Sequence, residues 1–188
     1  LAMVDRRRFL EVLAALGDEA IEIMLKKRPF DANDVRQVTV RVATSEAALV
    51  NNREMPDICL QHMVALMLID KTASFRAAHD KPRMDNPDVR RARATVQLVP
   101  DQDLEARMPR REATVTIVLA DGTRLTEHVD AVRGTTENPM PRTEVVTKCR
   151  DLMAPVLGAA RCDQLIGQVL TLERTTDIRS LGPLLQPA

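Results

Sequence analysis

The most informative segment of the chain is Met55-Pro56-Asp57-Ile58-Cys59-Leu60-Gln61-His62-Met63-Val64-Ala65-Leu66-Met67-Leu68-Ile69-Asp70. Apolar residues fill it almost continuously, and the stretch from Ile58 to Ile69 has the length of a helix rather than a strand. Asp57, which follows a proline, is predicted to cap this helix at its N-terminus. Because so few positions are polar, the helix must be buried on most of its sides.

Strand patterns lie on both sides of this helix. β-branched residues alternate before it and predict a strand over Val38 to Val42. After it, alternation predicts three more strands, Thr95 to Val99, Ala113 to Leu119 and about Thr123 to Val132. Asp121-Gly122 lies between the last two, which is typical of a hairpin.

The remaining segments have helical patterns. One helix is predicted from Arg6 to Lys27, with a break at Gly17, and two short helices between Lys71 and Arg93. Pro141 begins a further helix, and Pro155 with Gly158 separates it from a last one ending near Leu172. This order predicts an α+β fold in which helices pack on a mostly antiparallel sheet with at most one parallel crossover, followed by C-terminal helices.

Composition narrows the classes of function. The 188 residues are 45% hydrophobic, enough for a buried core, and the formal net charge is +0. A neutral chain with only 2% aromatic residues and no Trp or Tyr is a poor candidate for binding nucleic acid or an anionic membrane. The three cysteines form no Cys-x-x-Cys pair, and no signal peptide or membrane span is evident, so we expect a reduced, cytoplasmic protein.

No pattern for a bound metal or nucleotide is present in the sequence. His79 and His128 lack ligand spacing such as His-x-x-x-His, so we expect no metal site, and His128 should lie on the solvent face of its strand. The absence of a glycine-rich phosphate loop disfavours a nucleotide cofactor. The cluster Arg90-Arg91-Ala92-Arg93 fits an anion site or, more simply, an ion-paired surface.

Four motifs, in the same order along the chain, resemble the C-terminal part of the MmgE/PrpD family. The apolar helix resembles a family helix that ends in an aliphatic-Asp-Gly turn, with Lys71 in place of the glycine. The other three are the Asn86-Pro87-Asp88-Val89-Arg90 segment, the strand pair from Ala113 to Leu125, and the loop with Gly134 and Asn138-Pro139-Met140 that leads to a helix containing Lys148. Together they cover about Val35 to Leu172, and their coincidence carries the resemblance.

The resemblance implies a two-domain enzyme, like 2-methylcitrate dehydratase or cis-aconitate decarboxylase, with its active site between a large helical domain and an inserted α+β lid. On that template residues 31–140 are the lid, residues 141–188 are tail helices, and residues 1–30 are an N-terminal helical segment. The N-terminal helical domain, which holds most of the family's site residues, has no counterpart. The family's Lys-Arg-Phe-Pro motif and following His are also not matched by Arg7-Arg8-Phe9-Leu10.

The resemblance also indicates three candidate site residues. His62 stands where some relatives have a site tyrosine, so it is the candidate catalytic residue, and an imidazole suits a carboxylate substrate. Gln61 and Lys148 are candidates for binding the substrate. The alternative is that His62 and Gln61 are satisfied residues of a buried helix, and that Lys148 caps a helix or contacts a domain. Cys59 lies one turn before His62, where a small buried hydrophobe is the simpler interpretation.

Two classes of function remain open. The first is a lyase or isomerase that acts on a small di- or tricarboxylic acid without a bound cofactor, this chain being inactive until a separate helical domain joins it. The second is a non-catalytic relative that serves as an interaction module. The apolar tail helices, which pack on the helical domain in the family template, predict a homodimer when that domain is not present.

Overall fold

Four strands form one sheet within residues 14–186, the part of the chain that this computed structural model describes. In spatial order they are β2 (Val96–Asp101), β1 (Val35–Ala43), β3 (Ala113–Leu119) and β4 (Arg124–Val129). Each predicted strand is confirmed. Both ends of β3 are as predicted, and the ends of the other three strands differ by a few residues. The fold is therefore α+β, as predicted.

The sheet is mixed rather than mostly antiparallel. β3 pairs antiparallel with both β1 and β4, whereas β2 runs parallel to β1, with Val38 opposite Val96. Parallel neighbours need a long crossover, and the segment between β1 and β2 is long enough because it holds several helices. The parallel pair is the single crossover that the sequence allows.

The α-helices occupy the segments between and after the strands. They are α1 (Asp18–Lys27), α2 (Thr44–Val50), α3 (Leu60–Asp70), α4 (Phe75–Ala78), α5 (Pro87–Ala94), α6 (Gln102–Glu105), α7 (Arg142–Leu157) and α8 (Ala159–Leu170). Short 3-10 helices lie at Ala32–Asp34, Pro56–Ile58, Lys81–Asp85, Leu172–Arg174 and Ile178–Leu185. None of the helices described between residues 14 and 186 has both the length and the apolar character to cross a membrane.

The first predicted helix extends beyond the described residues. Its initial part, with Arg7-Arg8-Phe9-Leu10, lies outside them, and Gly17 is the N-cap of α1. Because a helix begins directly after Gly17, the predicted break at this residue is confirmed. Asn86 also caps α5 as predicted, since its side-chain oxygen accepts hydrogen bonds from the backbone N–H groups of Asp88 and Val89.

The prediction that Asp57 caps the apolar helix is wrong. The helix α3 begins at Leu60, its N-cap is Cys59, and Asp57 lies inside the preceding 3-10 turn. Pro56 starts that turn, and its carbonyl oxygen accepts a hydrogen bond from the Cys59 N–H at 3.2 Å. Asp57 is instead buried, with its carboxylate 3.8 Å from Nε2 of His79.

The helix α3 packs on one face of the sheet, as its apolar sequence predicts. All its residues from Leu60 to Leu68 are buried. A Cβ atom built on Gly17 would lie 3.2 Å from Val64 of α3, 3.7 Å from Val40 of β1 and 3.8 Å from Val115 of β3. At Gly17 the start of α1 therefore lies close to both α3 and the sheet, where a side chain would have little room.

The described chain divides into two compact units, the first ending at Asn138 and the second beginning at Pro139. The second unit contains α7 and α8, which Arg150 and Asp163 join through an ion pair of 2.7 Å. The helix α7 continues through Pro155, so Gly158, at φ 78°, is the residue that separates it from α8. Glycine adopts this φ without the steric penalty of a side chain.

Lys71 ends α3 in a left-handed conformation, with φ 60° and ψ 13°. This is the position where the resembling sequences have glycine, and a Cβ atom makes the conformation unfavourable. The lysine side chain makes contacts that glycine lacks. Its Nζ donates a hydrogen bond to the Phe30 carbonyl oxygen at 2.7 Å and lies 5.4 Å from the centre of the Phe30 ring. These contacts offset part of the backbone strain.

We expect Lys71→Gly to be more stable than Lys71→Ala by about 1 kcal/mol in its free energy of unfolding. Both variants lose the contacts with Phe30, but only alanine retains a Cβ atom in the left-handed region. Urea unfolding of the two variants measures the difference. Equal stability would contradict a left-handed Lys71.

Candidate functional site

His62 lies in the first turn of α3 and is completely buried, with an exposed fraction of 0%. Neither Nδ1 nor Nε2 has a hydrogen-bond partner among the described residues. A buried polar group without a partner costs about 1–3 kcal/mol, so such groups are uncommon in folded proteins. The structure thus buries His62, as the alternative interpretation expects, without giving its ring the partners that a structural histidine usually has.

The imidazole of His62 is neutral near pH 7. Burial lowers its pKa to about 4, and the positive charges of Arg93 and Arg83 act in the same direction, while Asp80 acts against them. A neutral imidazole has one nitrogen that donates and one that accepts a hydrogen bond. His62 therefore presents a donor and an acceptor in an apolar setting that strengthens both.

Two arginines create the positive potential around His62. Arg83 binds the Asp70 carboxylate through two hydrogen bonds, of 2.6 and 2.5 Å, so much of its charge is balanced locally. Arg93 donates one long hydrogen bond of 3.3 Å to the carbonyl oxygen of Arg53. Arg93 is therefore the less firmly held guanidinium, and an anion close to His62 would be attracted to it.

Gln61, the neighbour of His62, holds a loop rather than presenting a free amide. Its Oε1 accepts a hydrogen bond of 2.9 Å from the Asn52 N–H, and its Nε2 donates one of 2.6 Å to Asn51 Oδ1. Asn52 has φ 46°, an uncommon conformation for a residue other than glycine. Gln61 thus holds the first two residues of the 51–55 loop, in which every residue is exposed.

The other candidates occupy different surroundings. Cys59 is buried, and its Sγ lies 3.8 Å from Gln61 Oε1. His62 has no partner among the described residues, so a pair between this thiol and the imidazole is not formed. Lys148 is exposed on α7 of the second unit. The structure thus brings Cys59, Gln61 and the loop together, beside a His62 ring that contacts none of them through hydrogen bonds.

A second group of polar residues was not identified from the sequence. Nε2 of His128 lies 3.2 Å from both Glu112 Oε2 and Asp130 Oδ1, and its Nδ1 lies 2.8 Å from Thr114 Oγ1. Nη1 of Arg107 is 3.0 Å from the same Glu112 oxygen. Glu112 is only 3% exposed. His128 lies on the sheet face away from the core, as strand alternation predicts.

The turn between β3 and β4 explains why the sequence did not reveal this group. Asp121-Gly122 predicts a hairpin, but the connecting loop has three residues, since the Leu119 N–H donates to the Thr123 carbonyl oxygen at 2.9 Å. That loop sets the register in which Thr114 pairs with His128 and Ala113 with Val129. Glu112 then stands across from Asp130. A turn of two residues would shift the register by one and separate these side chains.

One more ionisable group is strongly perturbed. Burial raises the pKa of Asp18, the first residue of α1, to about 8, and its Oδ1 has no partner among the described residues. The adjacent Glu19 accepts a hydrogen bond from Asn138 Nδ2 at 3.0 Å. Asn138 also donates to the Ala131 carbonyl oxygen at 3.0 Å. The Asn-Pro motif therefore anchors its loop to α1.

A comparison with protein families identifies the family to which this fold belongs. The family model of the MmgE/PrpD C-terminal domain matches residues 18–172. The match includes α3, all four strands and both groups of polar residues described above. No curated protein matches the chain at a significant level.

The neutral state of His62 predicts how stability changes with pH. Its pKa is about 4 in the folded chain against 6.5 when exposed, so the unfolded chain binds a proton that the folded chain does not. The free energy of unfolding is therefore highest above pH 6.5, and part of it is lost as the pH falls from 6.5 to 4. The loss is about 3 kcal/mol, at about 1.4 kcal/mol for each pKa unit.

We expect His62→Leu to be at least as stable as the original chain at pH 7.5 and to lack this loss. The matched control His79→Gln keeps the buried imidazole of His62, so its stability should still fall between pH 6.5 and pH 4. Urea unfolding between pH 4 and pH 8 measures both. The same pH dependence in His62→Leu and in the original chain would refute a buried, neutral His62.

Proposed function

The chain belongs to the MmgE/PrpD family through its C-terminal domain, and on that premise we propose that it forms the lid and tail of a lyase acting on a small di- or tricarboxylic acid. The observation that supports this proposal is the unsatisfied, buried His62 on α3. Its energetic cost is explained if the ring serves a substrate. Proteins retain such unfavourable groups mainly at functional sites.

In this proposal His62 donates a hydrogen bond to a substrate carboxylate. A pKa of about 4 makes the imidazole a weak base near neutral pH, but its N–H remains a good donor. The positive charges of Arg93 and Arg83 attract the same carboxylate. His62 would therefore bind and polarise the acid, and a different group would remove the proton beside the carboxylate.

The loop at residues 51–55 is connected to these groups through Gln61 and Arg93. Gln61 holds the loop by two hydrogen bonds, and Arg93 holds it by one bond of 3.3 Å to Arg53. A substrate carboxylate that takes over Arg93 would release the Arg53 contact. Gln61 then acts as a positioning residue for the loop, which differs from the direct substrate contact expected from the sequence.

The reaction requires groups beyond these. Elimination of water or CO₂ needs a base in addition to carboxylate-binding groups, and the resemblance assigns most such residues to a helical domain. Since the family includes dehydratases and decarboxylases, the shared fold does not choose among its reactions. We therefore propose that the lid binds the acid and that catalysis requires association with the helical domain.

The chain by itself is expected to show no turnover of 2-methylcitrate, cis-aconitate or citrate, because removing several members of a cooperating site leaves little rate enhancement. It should nevertheless bind citrate weakly. The ring ¹⁵N signals of His62, observed in histidine-labelled protein, should shift when citrate is added. Activity assays and this NMR titration are the two measurements.

Matched variants separate the two parts of the proposal. Arg93→Gln should weaken the citrate response of His62, whereas Arg90→Gln, an exposed arginine on the same helix, should not. Unchanged His62 signals at saturating citrate would contradict the carboxylate-binding role. Turnover that disappears in His62→Phe would contradict the requirement for a second domain.

A second candidate function, a non-catalytic oligomeric module, is favoured by the surface of the second unit. Large apolar side chains are exposed there, among them Val145, Val156, Val169, Leu172, Ile178 and Leu185. Val169 is 52% and Ile178 60% exposed. Exposed apolar side chains that adjoin one another are typical of interaction surfaces, and a two-fold pairing of identical chains would bury them.

Sedimentation equilibrium at micromolar concentration tests this second candidate. We expect a dimer, and Val169→Asp should shift it towards monomer because the charge would be buried at the interface. Leu49→Asp introduces the same kind of change in the first unit and should leave the dimer intact. A monomeric chain over the whole concentration range would exclude the oligomeric module.

A further inference from the structure

The side chains of Glu112, His128 and Asp130 converge at the start of β3 and the end of β4. One ligand atom from each residue, a carboxylate oxygen or a ring nitrogen, lies within 4.8 Å of the others. We propose that they bind one divalent transition-metal ion of the zinc class. The site is separate from His62 and is independent of the proposed lyase function.

The distances fit the coordination geometry of zinc. Ligand atoms about 2.0–2.1 Å from a tetrahedral zinc ion lie roughly 3.3 Å from each other. Nε2 of His128 is 3.2 Å from Glu112 Oε2 and 3.2 Å from Asp130 Oδ1. Two of the three edges between the ligand atoms thus have nearly the required length before any ion is bound.

The second ring nitrogen of His128 is already held. Nδ1 lies 2.8 Å from Thr114 Oγ1, which can accept a hydrogen bond from Nδ1–H. That tautomer leaves the lone pair on Nε2, which is the atom directed at both carboxylates. A histidine that binds a metal usually donates its other N–H to such a partner, which fixes the orientation of the ring.

Glu112 supplies a buried carboxylate. Its side chain is 2% exposed, and Oε1 has no hydrogen bond among residues 14–186. Oε2 has Arg107 at 3.0 Å, but the side chain of Arg107 is 47% exposed and so has room to move away. Two carboxylates and one guanidinium carry a net negative charge, which favours a divalent cation.

The exposed side of the site gives an ion access from water. The Asp130 side chain is 86% exposed, so an ion can enter there and retain water in its remaining coordination position. Imidazole together with two carboxylates suits zinc, cobalt and nickel better than calcium, which prefers oxygen ligands alone. Such an ion would connect the residue before β3 to the end of β4.

A self-contained network of ion pairs is the competing interpretation, and Arg107 distinguishes it from a metal site. If Arg107 occupies the place of an ion, then Arg107→Gln should strengthen zinc binding, because a competing positive charge is removed. If the network is purely structural, the same change only leaves Glu112 unpaired and creates no affinity for zinc.

Isothermal titration calorimetry with ZnCl₂ on the chelator-treated chain tests the proposal. The chain should carry Cys149→Ser, since Cys149 is half-buried and is an alternative zinc ligand. We expect one ion for each chain. Asp130→Ala and His128→Ala should each weaken binding by at least about tenfold, Arg107→Gln should strengthen it several-fold, and His79→Ala should leave it unchanged.

Asp130 is so exposed that its replacement should not affect folding, which circular dichroism verifies. A zinc affinity that is unchanged in Asp130→Ala, or zinc binding that is absent in both the parent chain and Arg107→Gln, would overturn the proposal. Neither result bears on the citrate response of His62, so failure of the metal site and failure of the lid function are distinguishable.

Discussion

The burial of α3 on all sides is the constraint on which the rest of the first unit depends. Every residue from Leu60 to Leu68 is buried, so each face of the helix needs a partner. The sheet covers one face, and Gly17 allows α1 to come close enough to share the junction with Val64. A helix of this kind has no stable position outside a layered core.

The same burial gives His62 its properties. In an exposed helix the imidazole would bind water, whereas in α3 it remains neutral and without a partner among the described residues. The charge of Arg93 acts on its pKa, but Arg93 makes no hydrogen bond with it. A ring prepared in this way would lose little solvation on binding the proposed carboxylate, because the water has already been removed.

Much of the fold was predictable from the sequence because it depends on local patterns. Strand alternation predicted both ends of β3, and Asn86-Pro87 predicted the start of α5. The sequence was a weaker guide where contacts between distant segments determine the surroundings of a residue. Asp57 looked like a helix cap, but a 3-10 turn that starts at Pro56 buries it beside His79. The group around His128 depends on a loop of three residues, which Asp121-Gly122 does not distinguish from one of two.

The parallel pairing of β1 with β2 also has a kinetic consequence. β3 and β4 are joined by a short loop and can pair early, whereas Val38 meets Val96 only after α2 to α5 have been accommodated between them. We expect β2 to be the last strand to join the sheet. Until it does, the backbone of β1 presents an open edge to other chains. The most vulnerable step in the biogenesis of this domain is therefore the interval before its crossover closes.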